Sequence, residues 1–504
     1  MAITINAATT VGLACQLVEV EVDITSQLKP LIIVGLADQS VGEARERVRL
    51  AISNTGLYVP RRRVVVNLAP ADLKKVGSHY DLAMAVGIAI ITKQLNLLPE
   101  DSSAIFLGEL SLHGEVKPIS GVINIASQLR QWNIQRLYVP AANAREAALV
   151  GGIEVFPVKS LGQLLAHLRG EEKLAPQPMT KLPPPAANKK TVDLFDIHGQ
   201  EQAKRALIIA AAGGHNLLFV GPPGAGKTML ARAFVHLLPP LNLDQALAVT
   251  KIYSVAGKLS DQKPLCQLPP WRQPHHTASG VALIGGGTNP QPGEVTLAHH
   301  GVLFLDELPE FPRPVLDNLR QPLEDRVVTI ARAAGHYQFP ADFILLAAMN
   351  PCPCGFANDR QRECVCRPWQ VINYQKRISG PFLDRIDLQL AVQRLPAKEL
   401  NAEMAKSCLS TTQANKLIVQ ARQKQRRRQK NILNSRLDNK QVRRHCNLDQ
   451  AGQELLTQAV DKLQLSPRAY FKLLKIARTI ADLDGSDNII SQHIAEALQY
   501  RIKL

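Results

Sequence analysis

The octapeptide Gly221-Pro222-Pro223-Gly224-Ala225-Gly226-Lys227-Thr228 decides how this 504-residue chain folds. It has the spacing of a P-loop, with four residues between its first glycine and its Gly-Lys-Thr end. Glycines let backbone N–H groups converge on phosphate oxygens, and the helix that follows adds the positive end of its dipole. Lys227 would reach the β- and γ-phosphates of a nucleotide, and the Thr228 hydroxyl would bind Mg²⁺. A glycine-rich turn without a ligand is the alternative.

The residues on either side of this octapeptide support the P-loop interpretation. The stretch from Asn216 to Val220 predicts a buried strand that leads into the turn, and the residues from Met229 to Leu238 predict a helix after it. Strand, glycine-rich turn and helix are the context in which a P-loop binds phosphate. The sequence therefore predicts an α/β P-loop NTPase core in this part of the chain.

Two carboxylates follow the P-loop at the end of another apolar run. The residues from Val302 to Leu305 predict a buried strand, and Asp306 and Glu307 come directly after it. A P-loop needs an acidic partner, so we expect Asp306 to bind Mg²⁺ and Glu307 to polarise the attacking water. Such a pair standing alone is often only the end of a strand, but its place after a P-loop favours the catalytic interpretation.

The polar residue that ends the next apolar run makes the chain resemble an AAA+ ATPase. That run extends from Ile344 to Met349, and Asn350 follows it. The resemblance implies ATP and Mg²⁺ as ligands. It also implies that Asn350 is the sensor-1 residue, which hydrogen-bonds the attacking water or the γ-phosphate. A turn or helix-cap asparagine before a proline is the alternative.

Two arginines resemble further parts of such an ATPase. The segment 379–387 is similar to the arginine-finger segment of the magnesium-chelatase-like group, so that Arg385 would project into the ATP site of a neighbouring subunit. An ion pair with Asp384 or Asp387 is the alternative. The start of a later helical segment resembles the sensor-2 helix of a helical lid, with Arg468 as the sensor. A surface arginine is the alternative there.

The whole chain resembles the YifB/ComM group of magnesium-chelatase-like proteins. The likeness is clearest in three places: residues 35–41, residues 211–216, and residues 274–277 together with 285–287. It implies a homo-hexameric DNA helicase that drives branch migration on single-stranded or branched DNA, in homologous recombination during natural transformation. A chelatase-type ATPase, and an AAA+ assembly factor or ATP-dependent peptidase that does not translocate on DNA, stay open as alternatives.

The N-terminal part resembles the proteolytic domain of Lon, which has a ribosomal-protein-S5-like fold. The likeness lies in residues 108–112 and 118–122. Where Lon has its catalytic lysine this chain has Ile123. Ser78, near the position of the Lon serine, would therefore lack a lysine to take its proton. We expect a Lon-like domain without a catalytic dyad, which serves as a scaffold or contacts DNA.

Composition shifts divide the chain into four expected parts. Prolines and the absence of apolar periodicity predict an extended linker over 171–192. The Lon-like domain would then occupy 1–170 and the AAA+ core 193–395. Helical periodicity near the end of the chain predicts a helical lid domain over 396–504.

Charge indicates a polyanionic partner. The formal net charge is +16, and the stretch from Lys416 to Arg444 contains 11 Lys or Arg and a single acid, Asp438. We expect this basic stretch to bind DNA, with a solvated helix face as the alternative. The longest apolar run is too short to span a bilayer and the start does not resemble a signal peptide, so we expect a cytoplasmic protein without membrane contact.

Two segments exceed what a minimal AAA+ core needs. The residues from Arg272 to His300 resemble the helix-2 insert of related ATPases. The residues from Val327 to Phe343 predict a β-hairpin. In related helicases such elements face the central pore, so Arg332 and His336 would contact DNA; solvent-exposed loop residues are the alternative.

Four cysteines form a candidate metal site. Cys352 and Cys354 make one C-x-C pair, and Cys364 and Cys366 make a second pair after nine intervening residues. Four thiolates close a tetrahedral zinc site, so we expect structural rather than catalytic Zn²⁺. Buried free thiols are the alternative.

Overall fold

A computed structural model describes the chain from residue 2 to residue 502 with short gaps. The gaps comprise residues 27–30, 36–38, 61, 73–74, 76, 181–191, 261, 288–289, 333–334, 358, 360, 396–409 and 431. Part of the 35–41 motif, half of the expected linker and the expected boundary between core and lid therefore lie outside the described residues.

The N-terminal part contains a seven-stranded mixed sheet with helices packed on it. Its elements are β1 (Ile3–Val11), β2 (Ala14–Ile24), β3 (Ile32–Val34), α1 (Gln39–Asn54), β4 (Val64–Ala69), α2 (Asp81–Ile91), β5 (Ile105–Phe106), β6 (Glu109–Leu110), β7 (Val116–Lys117), α3 (Val122–Gln128), β8 (Arg136–Pro140), α4 (Ala144–Ala147), β9 (Glu154–Val158) and α5 (Leu161–Leu168). The strand order is β3-β4-β2-β1-β5-β8-β9, and β6 pairs with β7.

Buried apolar residues alternate with charged residues along β2, and this pattern explains how the sheet packs. Val18, Val20 and Val22 are fully buried, and the intervening Glu19 and Glu21 point to the other face. The buried valines pack against α2, most of whose residues are also buried. Beside β2 in the sheet, β4 pairs with it in antiparallel register from Val64 to Ala69. The Lon-like identity of this part stays a prediction.

The central part is built on a five-stranded parallel sheet. Its elements are α6 (Glu201–Gly213), β10 (Leu217–Val220), α7 (Lys227–Val235), α8 (Leu243–Val255), β11 (Trp271–Arg272), α9 (Gly280–Ile284), β12 (Gly285–Gly286), β13 (Gln291–Pro292), α10 (Glu294–Leu297), β14 (Val302–Leu305), α11 (Arg313–Asp317), α12 (Arg320–Asp325), β15 (Val327–Arg332), β16 (Gly335–Pro340), β17 (Ile344–Met349), α13 (Pro368–Gln375), α14 (Gly380–Leu383) and β18 (Leu388–Ala391). The order is β11-β14-β17-β10-β18, so the strand before the P-loop is flanked by β17 and β18.

The five parallel strands bring their carboxyl ends to one edge of the sheet, here called the carboxyl edge; the opposite one is the amino edge. The strands predicted before the P-loop, before Asp306 and before Asn350 are confirmed as β10, β14 and β17. Ligands of open α/β sheets bind at the carboxyl ends of the strands. All three predicted site segments therefore meet at the carboxyl edge.

The two predicted inserts share a buried cluster, which contains Leu283 of the first insert and Ile330 of the hairpin. The β-hairpin expected between Val327 and Phe343 is confirmed as β15 and β16, with its tip at 333–334 outside the described residues. The helix-2 insert was predicted to begin at Arg272, but that residue pairs with Leu303 as part of the sheet. The insert therefore starts after β11 and consists of α9, β12, β13 and α10.

The C-terminal part is helical and shares a hydrophobic core with the central sheet. Its helices are α15 (Thr411–Gln429), α16 (Asn439–His445), α17 (Gln450–Leu463), α18 (Pro467–Leu483) and α19 (Ser491–Gln499). Leu217 and Phe219 of β10 lie in the same buried cluster as Ile418 of α15 and Ile476 of α18. Among the described helices, none combines the length and apolar character needed to cross a bilayer.

Candidate active site

The P-loop holds its lysine by three oxygens at the carboxyl edge. Lys227 Nζ donates to the backbone oxygens of Gly221 at 2.5 Å and Pro222 at 2.9 Å, and to Asn350 Oδ1 at 3.0 Å. Burial lowers the pKa of Lys227 to about 8, although the charges of Asp306 and Glu307 act in the opposite direction. A phosphate group bound beside the amine would favour the charged form.

The turn before α7 is shaped for an anion. Gly226 has a φ of +87°, a left-handed conformation that glycine adopts without strain, and nothing lies within 4 Å of the position that a Cβ would occupy. Backbone N–H groups of such a turn, together with the N-terminus of the nine-residue helix α7, form the concave anion site that phosphates fill. The P-loop backbone therefore fits a nucleotide.

Oxygen ligands suited to Mg²⁺ lie beside this turn. Thr228 Oγ1 donates to Asp306 Oδ2 at 2.9 Å, which brings together the end of β14 and the start of α7. A hydroxyl and a carboxylate are hard oxygen ligands of the kind that Mg²⁺ prefers. The two residues predicted to bind the metal are thus adjacent and fit it.

Glu307 occupies an unusual backbone conformation at the end of β14. Its φ is +52°, and its side chain is 58% exposed at the carboxyl edge. Glu307 Oε2 lies 3.4 Å from Nδ1 of His276, which comes from the insert between β11 and β14. Sequence reasoning used the 274–277 motif only as a sign of family likeness and missed this contact.

A second residue that sequence reasoning missed is Arg394, three residues after β18. Its Nη2 and Nε donate to the backbone oxygen of Pro223 at 2.8 and 3.1 Å, and its guanidinium lies 5.2 Å from the ring centre of Phe356. Arg394 therefore joins the P-loop to the loop that follows Asn350. No motif in the sequence marks it.

The four predicted metal ligands converge in that loop. The sulfur atoms of Cys352, Cys354, Cys364 and Cys366 all lie within 4.8 Å of one another. The distances from Cys352 Sγ to Cys354 Sγ and Cys364 Sγ are 3.4 and 3.7 Å. Four sulfurs at Zn–S bonds of about 2.3 Å in a tetrahedron stand about 3.8 Å apart, so the donor set fits Zn²⁺.

The electrostatics of the cysteine loop also suit a thiolate, and its packing reaches the P-loop. Burial works against ionisation of the Cys354 thiol, but hydrogen bonds from the backbone N–H groups of Phe356 and Val365 and from the thiols of Cys352 and Cys366 lower its pKa to about 6. The pKa values of Cys364 and Cys366 are raised instead: a backbone N–H group lowers each, but burial and the hydrogen bond to Cys354 outweigh it, so Cys354 is the thiol that ionises first. A Cβ added at Gly355 would stand 2.5 Å from Pro223 Cδ. The loop therefore lies directly on the phosphate-binding turn.

The two predicted arginines lie far from this site, at the amino edge of the sheet. The backbone oxygen of Arg385 accepts a hydrogen bond from Asn216 Nδ2 at 3.1 Å, and Asn216 precedes β10, whereas the P-loop follows it. The alternative of an ion pair between Arg385 and Asp384 or Asp387 is wrong: its partner is Glu324, at 2.7 Å, and Asp387 pairs with Lys472. Arg468 binds the other oxygen of Glu324.

The basic stretch is divided between the surface and the interior. Arg426 and Arg427 are exposed on α15. Arg428 belongs to the basic stretch predicted to bind DNA, but its guanidinium is bonded at 2.7 Å to both carboxylate oxygens of the buried Asp482. Arg422 donates to the backbone oxygen of Ala211 in α6. The hairpin residues Arg332 and His336 are exposed.

Ser78, in the N-terminal part of the chain, contacts a carboxylate. Ser78 donates to the carboxylate of Glu109, and Ile123, at the position expected for a lysine in Lon, is fully buried on α3. The expected lack of a Ser–Lys dyad stays a prediction. A scaffold or DNA-contact role for that domain stays a prediction.

Three sequence families match successive parts of the chain. "Magnesium chelatase, subunit ChlI" matches residues 193–400, "Subunit ChlI of Mg-chelatase" matches 20–143, and "Magnesium chelatase, subunit ChlI C-terminal" matches 408–501.

Individual relatives extend the likeness to nearly the whole chain. The uncharacterized protein YifB of Salmonella typhimurium is 41% identical over 497 residues, which is 99% of this chain and 96% of that protein. Competence protein ComM of Haemophilus influenzae is 42% identical over 496 residues, 97% of this chain and 95% of that protein. Lon protease 2 of Bacillus subtilis is 30% identical over 183 residues, 31% of this chain and 32% of that protein.

Proposed function

The chain belongs to the YifB/ComM family of magnesium-chelatase-like AAA+ proteins, and from this premise we propose that it is an ATP-driven motor that acts on DNA. Its substrate would be ATP, hydrolysed at the carboxyl edge of the central sheet. Its second partner would be single-stranded or branched DNA, on which a hexameric ring promotes branch migration in recombination during natural transformation.

The residues at the carboxyl edge support hydrolysis of ATP. Lys227 would bind the phosphates, and Asn350, which already shares a hydrogen bond with it, would orient the γ-phosphate or the attacking water. Glu307 would accept the proton of that water, with His276 beside it to fix its carboxylate. Mg²⁺, held by Thr228 and Asp306, would neutralise charge on the phosphates when bound.

The P-loop and the two arginines, Arg385 and Arg468, lie at opposite edges of the central sheet. This separation supports a homo-oligomer, and it is the observation on which the proposal rests most. All four residues of β10 lie between Asn216, which contacts Arg385, and the P-loop. At about 3.3 Å per residue they span roughly 13 Å. Arg385 and Arg468 therefore stand too far from the P-loop of their own chain, and each would act on ATP bound by a neighbour. Rings close such head-to-tail contacts.

Charge and relatives support DNA as the partner. The exposed Arg426 and Arg427 on α15, and Arg332 and His336 on the hairpin, would contact phosphates. A relative named as a competence protein matches almost the entire chain, which agrees with a role in natural transformation. Zn²⁺ at the four cysteines would be structural, because four protein ligands leave no open position.

The test is ATP turnover and strand movement on defined DNA. Purified protein should form rings with ATP, hydrolyse it faster with single-stranded or branched DNA, and move the branch point of a labelled four-way junction in an ATP-dependent way. The match to chelatase ATPase families favours a second candidate, an assembly ATPase that does not translocate. If no DNA accelerates ATP turnover and the junction does not move, the result would favour that candidate.

A further inference from the structure

One carboxylate joins the two arginines at the amino edge of the central sheet. Glu324 lies near the end of α12; its Oε2 accepts from Arg385 Nη2 at 2.7 Å, and its Oε1 accepts from Arg468 Nη2. The side chains of Arg385, Glu324 and Arg468 are 13%, 37% and 49% exposed, so the trio extends from the interior to the surface. Because each oxygen binds a different guanidinium, one carboxylate sets the spacing of both.

The three residues come from three separate elements. Arg385 follows α14 in the core, and its Nη1 also donates to the backbone oxygen of Pro381 at 2.5 Å. Arg468 stands in the first turn of α18 in the lid. Glu324 is therefore a link that aligns a core arginine with a lid arginine.

The surroundings of the trio are strongly cationic. A cavity of about 550 Å³ adjoins it, and six cationic and three acidic residues line that cavity: Arg326, Arg385, Arg436, Arg468, Lys472 and Lys475, with Glu324, Asp384 and Asp387. Asp387 is already bound to Lys472 at 2.9 Å. Two guanidinium groups held close together repel each other, so the charge of Glu324 is what allows them to stay paired.

We propose that Glu324 is a positioning residue for ATP hydrolysis, which holds Arg385 and Arg468 as a pair for the triphosphate of a neighbouring subunit. This inference rests on the proposed function, because it takes both arginines to act across a subunit boundary. Glu324 itself touches neither the nucleotide nor the attacking water. It acts through the two arginines alone.

The first experiment removes the charge of Glu324 and keeps the shape of its side chain. Glu324→Gln should bind ATP as the unaltered protein does, because the P-loop lies at the other edge of the sheet, while kcat should fall about 100-fold, the cost of a displacement of about 1 Å. Glu324→Asp, which retains both oxygens and the charge, should keep more turnover than Glu324→Gln. Thermal unfolding checks that each variant is folded.

Glu496→Gln is the matched control. Glu496 of α19 also joins lid to core, through Arg205 of α6 at 2.9 Å, but it touches neither Arg385 nor Arg468. That variant should keep the kcat of the unaltered protein. An equal loss in both variants would show that any broken ion pair between lid and core suffices, and would overturn the inference.

Two readouts separate positioning from a merely structural role. Mixed rings of Glu324→Gln and Lys227→Ala subunits should regain turnover, because one supplies an intact P-loop and the other an intact arginine pair; rings of Glu324→Gln with Arg385→Ala should not. In an Arg385→Ala/Arg468→Ala background, Glu324→Gln should cause no further loss, since it has no arginine left to align. A further loss there would overturn the inference.

The outcomes also distinguish this inference from the proposed function. Normal turnover by Glu324→Gln beside an inactive Arg385→Ala variant would overturn the inference alone. Normal turnover by the Arg385→Ala/Arg468→Ala double variant would overturn the proposed action across subunits, and the inference with it.

Discussion

Asn350 Oδ1 lies 3.0 Å from Nζ of Lys227, although 123 residues separate them in the chain. The contact exists because β10 and β17 are neighbours in a parallel sheet and both end at its carboxyl edge. The residue that would bind phosphate and the residue that would sense it are thus in direct contact.

Lys227→Ala should abolish ATP turnover and leave the fold intact, because it removes the charge that binds the phosphates. Phosphate release and binding of a fluorescent ATP analogue measure the effect. Lys204→Ala is the control, since Lys204 is also a buried lysine but pairs with Glu201 on α6. Turnover by Lys227→Ala at the rate of the control would remove the P-loop assignment.

Glu307→Gln should bind ATP and stop hydrolysis, because an amide cannot accept the proton of the attacking water. The trapped species should be visible as a stable ring with ATP in sedimentation or mass photometry. Glu310→Gln, three residues further on and paired with Arg377 at 3.1 Å, should hydrolyse ATP normally. If Glu307→Gln keeps its full rate, another carboxylate is the base.

Arg385→Ala should bind ATP but lose most of its turnover, since an arginine finger typically contributes about 10³–10⁵ in rate. Mixing it with Lys227→Ala subunits should restore part of the ATPase activity, because a junction can pair an intact P-loop with an intact finger. Subunit exchange followed by fluorescence is the necessary control. If subunits exchange and the ATPase activity does not return, the result would contradict an action of Arg385 across the subunit boundary.

Arg426→Ala/Arg427→Ala should weaken DNA binding and flatten its salt dependence by about two units, one for each phosphate that is no longer neutralised. Arg428→Ala should leave that slope unchanged. It should instead lower the free energy of unfolding by about 2 kcal/mol, because Asp482 loses a charged hydrogen-bond partner. DNA-binding titrations over a range of salt and chemical denaturation measure the two effects; a flattened slope for Arg428→Ala would mean that it binds DNA after all.

Metal analysis of the purified protein should find about one zinc per chain, and Cys364→Ser/Cys366→Ser should contain none. ATP turnover should fall in that variant, because the cysteine loop packs on Pro223 of the P-loop. Cys446→Ala, which alters a buried cysteine in the C-terminal helical part, should keep its zinc. A metal-free protein that is folded and fully active would show that the thiols are merely buried.

The residues at the carboxyl edge could be identified from the sequence because their signal is local. A glycine pattern, two carboxylates after an apolar run and an asparagine after another each stand at the end of one strand, and parallel strands bring such ends together. The two C-x-C pairs likewise lie close in the chain. No long-range information was needed to expect these groups in one place.

The contacts at the amino edge could not be predicted from the sequence in the same way. Glu324 lies 61 residues from Arg385 and 144 from Arg468, and no motif marks it. The charge of Arg428 was visible in the sequence, but not that its side of α15 faces the buried Asp482. A run of basic residues on a helix does not indicate which of them point inward, because that depends on what the helix packs against.

The shared core of the central sheet and the C-terminal helices limits how the protein can be divided. Ile418 and Ile476 are buried with Leu217 and Phe219 of β10. A fragment that ends before Thr411 would expose that apolar surface to water, and exposed patches of this kind promote aggregation. A fragment that contains the central sheet but lacks the C-terminal helices should therefore be insoluble rather than a smaller working ATPase. Mutations that stop translation before the C-terminal helices should therefore be selected against as strongly as mutations in the ATP site.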